Sequence, residues 1–288
     1  MYRRNSQQEN TSKDTALQEG LSQKMLSQGK TYQDETDKNV LQNRTNQNEL
    51  SQNRANQNEV SHDKALVLCS GGLDSTTLLA MTLEQFDPND VYALSISYGQ
   101  RHEKELASAQ VVARYYGVEQ RFLDLSQIFA DSNCSLLSHS TEDIPEESYA
   151  DQLNQTQGQP VSTYVPFRNG LFLSSAASVA LSLDCSVLHY GAHHDDWAGN
   201  AYPDCSQEFV EAMNCAIVEG TGGQLRLEAP FVTWSKADIV KKGLELNVPY
   251  ELTWSCYEGG EHPCGVCGTC IDRARAFELN GVRDPLLA

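Results

Sequence analysis

The chain has 288 residues and a formal net charge of -18, long enough for one sizeable α/β domain with an appendage. Residues 1–62 hold 8 basic and 8 acidic side chains, so the acidic excess falls wholly on the rest, with 31 acidic against 13 basic residues; such a body argues against a broad nucleic-acid surface. No run of about 18 apolar residues suits a membrane span, and Met1-Tyr2-Arg3-Arg4 has no apolar core behind it to make a secretory signal, so the reading is a cytoplasmic protein acting on a small molecule.

Residues 1–62 contain 19 Asn or Gln and two aromatics, Tyr2 and Tyr32, and repeat a ten-residue unit at 41–50 and 51–60. That composition buries too little apolar surface to offset its ordering entropy, so a disordered tail is expected. A short partner-binding or coiled segment around Leu17, Leu21 and Met25 is the alternative.

From Lys64 strands and helices alternate. Ala65 to Cys69 is a continuous apolar run, as in a parallel strand buried on both faces. Thr76 to Leu83 reads as a helix and Val91 to Ser97 as a second strand. Glu103 to Tyr116 is helical, with Leu106, Val111, Val112 and Tyr115 as inward candidates and Gly117 as its stop. Arg121 to Leu125 is a third strand. Residues 126–162 are polar and irregular, too long for an ordinary connection, and suggest a lid or an insertion. Asn169 to Leu183 is a helix, Ser186 to Gly191 a fourth strand, and Ser206 caps a helix to about Glu219. Ser235-Lys236-Ala237-Asp238 has the form of a capping box that opens another helix, which Asn247 and Pro249 end. The expected fold is α/β: a doubly wound, mostly parallel sheet over residues 63–250, followed by a cysteine-bearing segment at 251–288.

Two motifs carry chemistry. Ser70-Gly71-Gly72-Leu73-Asp74-Ser75-Thr76 lies between the first strand and its helix. Its glycines let backbone N–H groups approach a phosphate, and the helix N-terminus adds partial positive charge. Ser70, Ser75 and Thr76 offer hydroxyls; Asp74 binds Mg²⁺ or shapes the loop. No Walker lysine is present. The candidate nucleotide-binding stretch is Leu68, Cys69, Ser70, Gly71, Gly72, Leu73, Asp74, Ser75, Thr76, Thr77 and Leu78, with Asp74, Ser75 and Ser70 as catalytic candidates. Cys256, Cys264, Cys267 and Cys270 form C-x7-C-x2-C-x2-C, a spacing that suits one tetrahedral, structural Zn²⁺, with an iron–sulfur cluster as the rival.

Four polar clusters fall where strand carboxyl ends should converge: Tyr98 to His102, Tyr164 to Gly170, Gly191 to Asp196 and Tyr202 to Cys205. Within them Arg101, His102, Arg168, Asn169 and Asp204 are the substrate candidates. Cys205 as a nucleophile lacks any activating base in the sequence.

SGGLDS after a buried strand resembles the PP-loop ATP pyrophosphatases. Together with YGQRH followed by Glu105 and Leu106, with PFRN, YPDC and the cysteine knuckle, residues 65–280 resemble the 7-cyano-7-deazaguanine synthase family. The sequence departs from that family at Ser206, where many members have Arg, at Phe167, where many have Gly, and in its tail. The resemblance implies an ATP-dependent ligase that turns 7-carboxy-7-deazaguanine and ammonia into the nitrile for queuosine synthesis, through an adenylated carboxylate and an amide. It also implies one zinc per subunit, Mg²⁺ with the ATP, a homodimer and no direct nucleic-acid partner. Rival readings are a tRNA-modifying PP-loop enzyme and a non-enzymatic zinc-knuckle module.

Overall fold

A computed structural model describes residues 63–148, 151–152 and 160–287. The expectations for residues 1–62 lie outside the described residues. Contacts divide the chain into Met1–Ser61 and His62–Ala288, and the cysteine segment belongs to the second unit.

Five strands form one sheet: β1 (Lys64–Leu68), β2 (Val91–Ser97), β3 (Glu119–Asp124), β4 (Cys185–His189) and β5 (Arg226–Glu228). Their order is β3-β2-β1-β4-β5 and every pairing is parallel. The helices are α1 (Leu73–Thr82), α2 (Lys104–Tyr116), α3 (Arg168–Ser182), α4 (Gln207–Gly220), α5 (Lys236–Glu245) and α6 (Gly268–Leu279).

The alternation along β1 places its side chains in two cores. Ala65 and Val67 pack with α1, α2, α5 and α6 through Leu78, Val112, Ile239 and Phe277. Leu66 packs on the opposite face with Leu173 of α3 and Val210 of α4. Three layers result, and the winding reverses between β1 and β4. Open sheets of this kind leave a crevice at the carboxyl ends beside that reversal. Among the described residues no helix is long and apolar enough to cross a membrane.

Some details differ from the sequence reading. Helix α1 starts at Leu73, with Gly72 as its cap, so Asp74 lies in the first turn, where the helix dipole favours a carboxylate. In α2 the buried line is Ala109, Val112 and Ala113, while Tyr115 is 58% exposed. Gly71 lies against this line, where a Cβ would overlap the Ala109 backbone, so the small residues of α2 face the loop. Strand β5 and helix α6 have no counterpart in the sequence reading. The described part of the 126–162 insertion is not free of the body: Leu137 is fully buried against Tyr98, Phe129 and Val165, and Arg101 N donates to Leu136 O at 3.0 Å.

Candidate active site

A cavity of about 240 Å³ opens at the carboxyl ends of β1, β2 and β4. The loop after β1 forms one wall. Gly71 has φ +85°, a conformation that suits glycine. Ser70 Oγ lies 3.2 Å from Ser75 Oγ and accepts from Gly72 N at 3.3 Å. Leu68, Cys69, Ser70, Gly72, Asp74 and Ser75 line the cavity. The rest of the candidate stretch turns inward. Leu73 and Leu78 are core residues, Thr76 donates to Gly72 O at 2.8 Å, and Thr77 lies 2.9 Å from the Tyr250 hydroxyl.

The cation absent from the loop comes from α5. Lys236 Nζ donates to Asp74 Oδ2 at 2.9 Å and also lines the cavity. Burial would raise the Asp74 carboxyl, but the charges of Lys236 and His193 hold it below its ordinary value. Burial likewise opposes the charge on Lys236, yet Asp74 and Asp196 keep its ammonium above the ordinary value. The buried His193 places Nε2 3.3 Å from Asp196 Oδ1 and 3.7 Å from Asp74 Oδ2, without hydrogen-bond alignment to either, and Asp74 Oδ1 has no hydrogen-bond partner among the described residues.

The second wall is built on α3. Phe167, in the left-handed region at φ 52°, precedes the helix. Arg168 then stacks over Tyr98 at 5.0 Å and Phe172 at 5.8 Å from their centroids, and its Nε has no hydrogen-bond partner among the described residues. Glu105 faces the same space; burial pushes its carboxyl up to about 7, with the Arg168 charge pulling the other way. Asn169 also lines the cavity. Its N–H and side-chain amide donate to Asp204 Oδ2 and Oδ1 at 2.9 and 3.2 Å. Asp204 is therefore occupied in capping α3 and is not among the lining residues. Cys205 lines the cavity, but burial and then Asp196 and Asp204 push its thiol well above the usual range, which disfavours a thiolate nucleophile.

Arg101 and His102 lie apart from this cavity. Arg101 Nε donates to Ser135 O at 2.6 Å and its Nη2 bonds Glu142 O, which ties the insertion down. His102 packs on Gly259 of the cysteine segment. Lys236, Asp196, Glu105, Ser255 and Thr269 line the cavity without having been singled out as site residues. The sequence signals at hand were the place of Lys236 in the capping box, of Glu105 just after YGQRH and of Asp196 in the polar cluster after the fourth strand.

The Sγ atoms of Cys256, Cys264, Cys267 and Cys270 all lie within 4.8 Å of one another. Tetrahedral sulfur ligation at about 2.3 Å places sulfurs roughly 3.8 Å apart, so this donor set fits a closed metal site. Hydrogen bonds from the Cys267 and Cys270 thiols hold Cys256 far below its usual value, which favours the thiolate a metal needs. Cys256 Sγ also accepts from Cys264 N at 3.3 Å and Glu258 N at 3.4 Å.

Comparison with known proteins agrees with this architecture. Residues 64–281 match the family model described as queuosine biosynthesis protein QueC. A 7-cyano-7-deazaguanine synthase from Archaeoglobus fulgidus is 43% identical over 226 residues, covering 78% of this chain and 90% of that protein. One from Caldicellulosiruptor saccharolyticus is 45% identical over 223 residues, covering 77% and 94%. Among solved structures, NMN synthetase from Francisella tularensis superposes with a TM-score of 0.42 at 12% identity over 77% of this chain and 79% of that one, too distant to bear on the site. The family match spans nearly the whole described body, and the chain is an enzyme belonging to the queuosine biosynthesis protein QueC family.

Proposed function

We propose that this enzyme converts 7-carboxy-7-deazaguanine, ammonia and ATP to 7-cyano-7-deazaguanine, the ligase reaction of queuosine-precursor synthesis. The observation that carries this reading is the single cavity that joins the Ser70–Ser75 loop and Lys236 to Arg168 and the aromatic pair Tyr98 and Phe172. The family match and the 7-cyano-7-deazaguanine synthases among its relatives support the choice of substrate.

A carboxylate is a poor acyl donor, and attack of its oxygen on the ATP α-phosphate makes a mixed anhydride with AMP, releasing pyrophosphate. Loop N–H groups, the hydroxyls of Ser70 and Ser75 and the Lys236 ammonium face the charge that builds on the departing pyrophosphate. Ammonia displaces AMP and gives the amide. A second ATP adenylates the amide oxygen and releases pyrophosphate, and departure of that oxygen on AMP, with the nitrogen giving up its two protons, leaves the nitrile. The same geometry serves both rounds, because each aims a carbonyl oxygen at an α-phosphate. Arg168 pairs with the carboxylate, and Tyr98 and Phe172 stack on the heterocycle. Asp74 and Asp196 would hold the Mg²⁺ that accompanies ATP, which would neutralise phosphate charge. Zinc in the four-cysteine site holds the C-terminal segment folded when bound. The protein works in the cytoplasm as a homodimer and has no direct nucleic-acid partner.

The test is incubation with the carboxylate, ATP, Mg²⁺ and ammonium, followed by mass spectrometry. Carboxylate labelled with ¹⁸O should pass label to AMP, and ¹⁵N ammonium should enter the nitrile. Absence of amide and nitrile at saturating ammonium, with a tRNA or another carboxylate consumed instead, rejects the assignment.

A further inference from the structure

The four-cysteine segment and the phosphate loop are joined directly. Trp254 N donates at 2.9 Å to the carbonyl of Gly71, the glycine at φ +85°. A Cβ placed on Gly72 would lie 3.5 Å from Trp254 O and 4.0 Å from Ser255 Oγ, so this strand of backbone lies against the loop. Ser255 directly precedes Cys256, Thr269 directly precedes Cys270, and both line the cavity.

The segment 250–256 is anchored at its start by Tyr250, which is buried with its hydroxyl 2.9 Å from Thr77 Oγ1. Arg273, fully buried and paired with Asp284 at 2.7 Å, donates to Thr253 Oγ1 at 2.7 Å, to Tyr250 O at 3.0 Å and to Ser255 Oγ at 3.3 Å. Since the Ser255 oxygen accepts from a guanidinium, its O–H proton is left to donate. The Trp254 indole donates to Cys256 O at 2.8 Å, and Lys104 Nζ stacks over the same indole at 4.4 Å. Arg273 holds the segment on its α6 side. Beyond Trp254 the next fixed point along the chain is Cys256 itself.

We propose that Ser255 is a further nucleotide-binding residue, a phosphate donor delivered to the loop by the cysteine knuckle, and that metal occupancy of the knuckle sets the affinity for ATP. This rests on the reading of the loop as the ATP site. The knuckle is thereby a wall of that site as well as a support for the C-terminus. A bound metal gathers four thiolates around one centre and fixes Cys256, and with it the Trp254–Ser255 turn against Gly71. With the metal gone, no shared ion ties the four sulfurs to one centre, and the turn loses its fixed end.

Titration of the purified, metal-loaded full chain with α,β-methylene-ATP and Mg²⁺ by calorimetry tests this. Ser255→Ala should keep its metal content and far-UV circular dichroism and weaken the nucleotide roughly tenfold, the size expected for loss of a hydrogen bond to a charged group. Chelated wild type should lose roughly tenfold or more in affinity while its sheet signal persists, and added Zn²⁺ should restore it. Unchanged affinity in Ser255→Ala, or equal affinity with and without metal, overturns the proposal while leaving the ATP reading intact. No binding to the loaded wild type overturns both. If chelation unfolds the sheet, the metal-retaining Ser255→Ala variant decides alone.

Discussion

Asp74 and Lys236 are 162 positions apart in the sequence and 2.9 Å apart in space. No local pattern could show that pairing, whereas the loop itself, with its glycines and hydroxyls in consecutive positions, was readable directly. The site was thus visible in its contiguous part and hidden where partners come from separate helices. Lys236→Met should lower kcat by a factor on the order of 10² to 10³ with a smaller rise in KM for ATP, since the charge it faces develops during phosphate departure. Steady-state kinetics checks this; an unchanged kcat removes Lys236 from the reaction. The same pair sets a pH signature. The folded carboxyl of Asp74 lies below its ordinary 3.8, so its contribution is full above that value and lost as pH falls through the lowered one. The folded ammonium of Lys236 lies above its ordinary 10.5, so its contribution is full below 10.5 and lost as pH climbs through the raised value. The stability gap between wild type and Lys236→Met should therefore narrow as pH falls, because without the ammonium burial raises the Asp74 carboxyl and the variant relieves its unpaired charge by protonation, as denaturant melts at neutral and acid pH would show.

The long, strongly patterned elements were readable from periodicity and capping. The Ser235–Asp238 capping box is present in full, and Ser206 accepts from Phe209 N at 3.1 Å. Strand β5 is three residues long at a sheet edge with only its central Leu227 buried, too short for any period to register. Helix α6 begins inside the cysteine cluster, where the sequence announces metal ligands and not a helix. Tyr115 misled because α2 was oriented by its largest apolar residues, while a close backbone contact selected its smallest. Close contacts of this kind make sharp predictions. A Cβ on Gly243 of α5 would lie 2.6 Å from Tyr250 Cζ and 3.1 Å from Thr77 Oγ1, and Tyr250 is fully enclosed. Gly243→Ala should cost roughly 1–3 kcal/mol through overpacking between α5 and α1, outweighing alanine's better helix propensity; a gain in stability would show that the ring can move aside. In the knuckle, Cys267→Ser should release about one metal ion per chain and leave the β1–β4 pairing intact. Elemental analysis reads the first outcome, and hydrogen exchange at Ala65 to Leu68 reads the second.

At the scale of the whole molecule, the family match begins at residue 64, so the Asn/Gln-rich stretch lies outside the matched region. Deleting residues 1–62 should leave soluble yield and turnover within about twofold; a large loss of either would give that stretch a role in the enzyme. The strand order has a consequence for how the chain is made. Because β1 lies in the middle of the sheet, one of its edges pairs with β2 while the other waits for β4, with Ala65 opposite Val187. During synthesis the first three strands can assemble early, yet Leu66 and its neighbours keep an open, apolar ladder edge until β4 has been translated. Such an edge is a template for pairing with another nascent chain. Chains cut off after Leu183 should therefore accumulate as aggregates, and slowing translation between β3 and β4 should lower the yield of soluble enzyme more than slowing it anywhere downstream of β5.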